Sequence, residues 1–462
     1  MLSNKVEKLA ESARYDVCMS SCSTGSAGRP GRIRKPENPL SEWIYPASVP
    51  GQGTVHILKI LQSNSCRNNC SYCKFSASRD DENRVSLSPG ELAGSFIKMV
   101  RQGLVEGLFL SSGVCRSPSF AMEEMIKTAD ILRNHFRFGG YIHLKIIPGC
   151  AEHLIDAAAS FADRLSVNIE APSARHLSFI APEKKLSTDI LPAAKRTAAL
   201  LRAKKNGYTD KAIRASSQTT QYVVGAAGES DLDIMTSVDM LYSDYFMFRA
   251  YFSAYQQRYN PAAKSNNPKK DSPGFEGSPL LREHRLYQSD FLLRAYGFSF
   301  PELVFDSMGN IPMETDPKTA WALMNPGIFP VEVNTAPFAE LIRVPGIGPV
   351  SAERIVRIRR REKLNDIEEL KAAGAWSRRA AGWIELNGQT PYISDEGSKK
   401  HSKNVHFIPG QKWLFEELAP DGWKTAGQST GKASLRNKSY PGQTGKWVNY
   451  QFNKSDRKIW CR

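Results

Sequence analysis

Six short, mostly apolar runs, each separated from the next by enough chain for a helix, constrain this sequence more than any other feature. They are Val55–Leu61, Gly107–Ser111, Tyr141–Ile147, Leu165–Glu170, Thr219–Gly225 and Asp244–Tyr251. Runs that short and apolar predict strands buried on both faces, as in a parallel sheet. The helical signals between them agree. Ser88-Pro-Gly-Glu91 supplies an N-cap, a first-turn proline and the acidic partner of a capping box, opening a helix to about Gln102. Further helices are expected over Met122–His135 and about Asp189–Lys205. Strand–helix repeats of this kind give an α/β sheet with right-handed crossovers, either open or curled. In a curled sheet, chemistry gathers in the loops at the strands' C-terminal ends.

The first run leads straight into Gln62-Ser-Asn-Ser-Cys66-Arg-Asn-Asn-Cys70-Ser-Tyr72-Cys73. A loop this short lets three thiolates converge on one face of an iron–sulfur cluster. A structural zinc site normally closes with four ligands, and the loop offers no fourth. Three thiolates on a four-iron cube leave one iron open to a small molecule. A zinc loop and reduced buried thiols are the competing readings. Cys18, Cys22, Cys115, Cys150 and Cys461 are scattered. Buried free thiols explain the first four better than an auxiliary cluster does, and a reducing, cytoplasmic setting fits this usage.

The 462-residue chain carries 62 Lys and Arg against 47 Asp and Glu, a formal charge of +15. A surplus of that size favours a polyanionic partner, nucleic acid before membrane. No apolar run approaches a membrane span, and Met1-Leu-Ser-Asn-Lys5 has no signal-peptide core. A second specific motif lies far downstream. Val344-Pro-Gly346-Ile347-Gly348-Pro-Val-Ser-Ala352 follows a short helix and opens another, expected to run to about Arg361. The pattern is similar to a helix-hairpin-helix. Its two glycines permit a tight turn that offers backbone N–H groups at the positive end of the second helix. Arg354, Arg357, Arg359, Arg360 and Arg361 crowd that helix, and Gly346, Ile347, Gly348, Arg354 and Arg357 are the candidate DNA-binding residues. Such a device positions a phosphate backbone without reading bases. A structural αα-turn is the alternative. Leu364–Trp376 reads as a degenerate second hairpin with one glycine.

The organisation expected from these signals is an N-terminal arm (1–50), a barrel (51–256), a connecting helical segment (257–330), a hairpin domain (331–388) and a basic, mostly irregular tail (389–462). The arm carries Arg29, Arg32, Arg34 and Lys35, and the connecting segment a strong helix over Leu280–Tyr296.

The cysteine loop, with an aromatic before its last cysteine, closely resembles the signature of the radical S-adenosylmethionine (radical SAM) enzymes. The resemblance implies a partial (β/α)6 TIM-type barrel followed by an α-helical helix-hairpin-helix domain. It implies a [4Fe-4S] cluster on Cys66, Cys70 and Cys73, with S-adenosyl-L-methionine on the open iron, cleaved to a 5′-deoxyadenosyl radical. Tyr72 would lie along the adenine. Ser112 and Gly113 stand where the family usually carries a Gly-Gly-Glu-like turn, and the acidic residue is missing here. Glu170, with Asn168, is the candidate for a ribose or amine contact, and Gly225 lies in a loop resembling the family's Gly-rich adenine contact. Lys145, Arg249, Tyr251 and Tyr255 are further strand-end candidates. From about Tyr15 to Asn387 the chain resembles a bacterial family described as DNA modification/repair radical SAM proteins. That likeness rests on Ile44-Tyr-Pro-Ala47, the cysteine loop, Asn168–Ser173, Gln221–Gly225, Arg282–Gln288 and Val344–Gly348. It implies DNA as partner, an electron donor such as flavodoxin or ferredoxin, and an association with DNA repair and its proteins. An RNA- or protein-directed radical SAM enzyme and a non-catalytic Fe–S scaffold are the alternatives.

Overall fold

The structure, a computed structural model, describes residues 4–13, 43–49, 53–79, 84–208, 212–255, 278–391 and 424–425. The described residues divide into two compact units, one of residues up to 229 together with 236–283, the other of residues 230–235 and those from 284 on.

Seven strands form the sheet of the first unit: β1 (Ile44–Val49), β2 (Gly53–Leu61), β3 (Gly107–Ser111), β4 (Tyr141–Lys145), β5 (Arg164–Ser166), β6 (Ser217–Val224) and β7 (Met247–Ala254). They lie side by side in chain order. β1 is antiparallel to β2, and every later neighbour is parallel. This order decides between an open and a curled sheet. A doubly wound sheet reverses direction partway and places helices on both faces. Here the parallel strands never reverse, so right-handed crossovers put each helix on the same side and the sheet curls into a partial barrel.

Strand residues in register share a face, and the two faces differ in chemistry. Ile60, Leu110, Leu144 and Leu165 form one apolar row, and Leu58, Leu108 and Ile142 another, all fully buried. The alternate residues are polar or aromatic: Lys59, Phe109, His143, Arg164 and Ser217 in one row, and Lys145, Ser166, Thr219 and Arg249 in the next. The apolar face is the one suited to covering helices, which leaves the polar face as the barrel interior.

The capping box expected at Ser88 and Glu91 is present, and the helix it opens spans Pro89–Arg101. The helix expected over Met122–His135 starts earlier, at Pro118, and its last turn widens to a π-turn over Ile131–His135. Strand β1 falls in what the sequence presents as an arm. Its Pro46 lacks an N–H, which an edge strand tolerates. The sixth run is shifted, because Asp244 closes the helix Asp231–Asp244 and pairing begins at Met247. Cys18, Cys22, Cys461, the arm cations, the seam after Gln256 and nearly all of the tail lie outside the described residues. From that tail, Lys424–Thr425 pairs antiparallel with Val304–Phe305.

In the second unit a parallel pair, Val331–Glu332 with Ile384–Glu385, brackets four short helices. These are Phe338–Leu341, Pro349–Ile358, Ile367–Ala372 and Ser377–Ala380. Leu341, Val344, Ile347, Ile355, Leu370, Ala380 and Trp383 fill the space between them.

Candidate cluster site and hairpin

The cysteine loop leaves β2 and is held from two sides. On one side stands the end of β3. Gln62 N–H donates to Ser111 O (2.8 Å), Gly113 N–H to Ser63 O (2.7 Å) and Arg67 N–H to Val114 O (2.9 Å). Val114 N–H points at Cys66 Sγ, 3.4 Å away. Only a glycine fits at 113, since a Cβ there would come within 2.4 Å of Ser65 O. Gly113 thus serves the loop as a packing residue, and Ser112 Oγ donates to the Gly113 carbonyl. Gly113→Ala is expected to push the loop off β3 and cost about 1–3 kcal/mol, measured as a lower urea midpoint.

On the other side is Arg84, which sequence reasoning missed. Its guanidinium donates to Asn64 O (2.7 Å), Phe75 O (2.8 Å), Ser76 O (2.9 Å) and Arg79 O (3.1 Å). One planar fork thereby satisfies four loop carbonyls that no regular structure pairs. Arg84→Lys keeps the charge and loses the fork. It is expected to destabilise by about 2 kcal/mol and to speed proteolysis within residues 62–79.

Within the loop Cys70 is buried, and Cys66 and Cys73 are half-buried. Burial pushes the Cys70 thiol up, with Lys184 opposing and Glu170 and Cys66 adding to the rise. Burial and then the neighbouring Cys70 push Cys73 up to about 12. Thiols at Cys70 and Cys73 that are costly to ionise on their own suit a cationic iron–sulfur core, which removes the cost of their charge. Among the described residues no three His, Cys, Asp or Glu side chains could hold a metal ion.

Beside the loop lies a three-membered network. Lys184 Nζ donates to Tyr72 Oη and to Glu170 Oε1, both at 3.0 Å, and sits 5.7 Å from the centre of the Tyr72 ring. Glu170 is 3 % exposed and its backbone is left-handed, with φ of 66°. That conformation is held by β6: Glu170 N–H donates to Gln221 O and Val223 N–H to Glu170 O, each at 2.9 Å. Burial opposes the Lys184 charge, but Glu170 and Cys70 outweigh it and raise the amine's pKa. Tyr72 is driven well above its ordinary value by burial and by Cys70 and Glu170, so it remains a phenol. Asn168 donates to Gln221 Oε1 at 3.4 Å, and Gln221 is in register with Tyr251. Of the sequence candidates, the structure brings together Cys66, Cys70, Tyr72, Cys73 and Glu170, with Lys184 added. Gly225 follows β6 in a turn, where the Glu229 carboxylate accepts from the N–H groups of Gly225 and Ala227. Arg282 in turn donates to Glu229 O at 2.7 Å.

In the second unit, Gly346 has φ of 90°, and a Cβ there would lie 2.7 Å from Trp376 O. The second hairpin repeats this bend at Gly374, with φ of 89°. The two turns cap each other. Trp376 N–H donates to Gly346 O (2.8 Å), and Ser351 Oγ to Gly374 O (2.7 Å). Lys318, 8 % exposed, reaches from beneath to donate to Ile347 O at 2.5 Å. Its amine is held well below the usual lysine value by burial and by Arg343. Gly348 is different. It stands at the N-cap of Pro349–Ile358 with ordinary φ of −94° and no side-chain cap. Of the crowded arginines, Arg359 is tied to Val333 O (2.6 Å), Arg354 leans on the Gly374 turn, and Arg357 is exposed. The helix stops at Ile358, so Arg359–Arg361 form a turn beyond it.

The sequence model of the radical SAM superfamily matches residues 60–241, and that of the helix-hairpin-helix motif residues 328–374. No curated protein matches the chain. Among solved structures it is similar to HydG, a maturase of the [FeFe]-hydrogenase (11% identity, TM-score 0.38, 51% of this chain and 49% of that one). It is similar to HydG from Carboxydothermus hydrogenoformans (13%, 0.38, 51% and 51%). It is also similar to methylornithine synthase, PylB (14%, 0.37, 51% and 61%). The chain thus spans about half to three-fifths of the length of these proteins. With the curled sheet, the three-thiol loop and the paired hairpin turns in one sequence, the chain carries a radical SAM domain over residues 60–241, the domain of enzymes that use a [4Fe-4S] cluster and S-adenosylmethionine, and a helix-hairpin-helix motif over residues 328–374.

Proposed function

We propose that this enzyme acts on DNA, modifying or repairing a nucleotide, and docks on the phosphate backbone through the hairpin turn at Gly346–Gly348. The observation that carries the reading is Gly348. The first-turn N–H groups of the helix it opens have no partner inside that helix, and no side chain caps them. A phosphate oxygen is the natural acceptor for such donors. Exposed Arg357, Arg360 and Arg361 add sequence-independent attraction.

Cys66, Cys70 and Cys73 would hold the cluster, and the bound cluster with S-adenosylmethionine supplies hydrogen-atom abstraction. Tyr72 and Glu170, fixed by Lys184, would border the nucleoside half of that ligand. Lys145, Arg249, Asn168 and Tyr251 line successive rows of the polar face beneath and would orient an anionic nucleotide. A base in duplex DNA must leave the stack to reach such an interior. A small electron-transfer protein such as flavodoxin or ferredoxin is the expected reductant, and a repair protein a further partner. No helix among the described residues is long and apolar enough to cross a membrane.

Gly348→Asp tests the docking. Aspartate is a favourable N-cap at this φ, so the fold should be as stable as wild type or more so. Its carboxylate would occupy the phosphate position, and affinity for any DNA sequence should fall about tenfold or more. Unchanged DNA affinity in a folded variant would sink the hairpin assignment. Reconstituted anaerobically with S-adenosylmethionine and dithionite, the wild type should form 5′-deoxyadenosine, stimulated by DNA. Stimulation by RNA alone would redirect the reading to RNA.

A further inference from the structure

We infer that Trp376 is a stacking platform for one unpaired nucleobase beside the hairpin turn, an inference that rests on the DNA-docking reading. At the position where the first hairpin has Gly348, the second has Trp376, directly before the helix Ser377–Ala380. The side chain is 65 % exposed, whereas Trp321 and Trp383 of the same unit are 4 % and 3 % exposed. Core packing therefore does not account for it. Its backbone is nonetheless fixed on both sides. Its N–H donates to Gly346 O at 2.8 Å, and its carbonyl accepts from Arg379 and Ala380 N–H at 3.0 and 3.1 Å.

The ring also has a fixed neighbour. The Arg379 guanidinium lies 5.5 Å from its centroid, and Arg379 is anchored to the Asp316 carboxylate and to Thr319 Oγ1. An indole held by its backbone and backed by a cation, yet largely open to water, offers a flat π-surface that a base can cover. The charge around it favours nucleic acid over an apolar protein segment, since exposed Arg357, Arg360, Arg361 and Arg378 belong to the same unit. The hydrogen bond between Trp376 and Gly346 places the indole next to the turn that would hold the backbone. Paired bases are already stacked on one another, so the ligand is DNA with a base out of the helix, as at a bulge or single-stranded end.

The test compares wild type with Trp376→Ala and Trp376→Phe on two labelled duplexes at fixed salt, one fully paired and one with a single-base bulge. Fluorescence anisotropy gives the affinities, and circular dichroism confirms folding. Trp376→Ala should weaken binding to the bulged probe about tenfold and to the paired probe less than about twofold, with Trp376→Phe close to wild type. Equal losses on both probes, or no loss on either, would overturn the platform while leaving hairpin docking intact. A loss seen only with a polyglutamate probe would assign the indole to an acidic protein instead and overturn it too. Failure of the folded wild type to bind either duplex would remove the docking reading itself, and the platform with it.

Discussion

Replacing Cys66, Cys70 and Cys73 together by serine is expected to abolish both iron binding and S-adenosylmethionine cleavage while leaving the barrel folded. Wild-type protein reconstituted without oxygen should hold about four iron ions and four sulfides per chain. The triple variant should hold almost none, and its 5′-deoxyadenosine formation should fall to background. Folding should survive because the loop is held by other groups, with its backbone tied to β3 and to Arg84 and its thiols accounting for little of that tethering. Cys115→Ser and Cys150→Ser are the internal controls. Both residues are half-buried, and burial pushes the Cys150 thiol up to about 11, as expected of a thiol that serves packing. Neither change should alter iron content. Four iron ions retained by the triple variant would remove the loop from the cluster, and zinc held by the wild type in place of iron would replace the cluster with a structural site.

The parts of this molecule legible in the sequence are those written locally. Short apolar runs announce parallel strands, Ser88 and Glu91 announce a helix start, and Gly346 and Gly348 announce a turn, because each signal spans a few neighbouring residues. The parts that were not legible depend on distant chain. Lys184 meets Tyr72 across 112 positions, in a loop whose Glu183-Lys184-Lys185 reads as solvated charge. Arg84 looks like one more surface cation until the loop carbonyls are placed around it. The mutual capping of Gly346 and Gly374 was hidden by the single glycine of the second hairpin, although Gly374 keeps the same bend. The resemblance to the family pointed to Glu170 as a site residue, while its left-handed backbone is a property of its bonds to β6. Gly346 also changes in meaning. A substitution there combines positive φ with a backbone clash, so lost DNA binding would report a broken turn. Gly348, free of both constraints, is the position that separates docking from folding.

The largest effect on stability is expected at Lys184. Its amine and the Glu170 carboxylate are 3.0 Å apart, with side-chain exposures of 17 % and 4 %. Lys184→Met leaves that carboxylate buried without its cation, a change that costs about 3–5 kcal/mol. Tyr72 loses its donor at the same time, and the glutamate must either take up a proton or draw in water. Pairing Lys184→Met with Glu170→Gln removes both charges and should recover most of the loss, since the desolvation cost disappears together with the attraction. The double-mutant cycle, read from urea midpoints at constant m-value, should therefore give a coupling of about 2 kcal/mol or more. A coupling near zero would mean that water already reaches Glu170 and that the network does not hold the carboxylate. If the coupling is large and the double variant is as stable as wild type, the ion pair brings no net stability to the barrel. A left-handed backbone and a desolvated pair retained on those terms, next to the cysteine loop, are then explained by what they position, which is a carboxylate and a phenol set at the mouth of the strands.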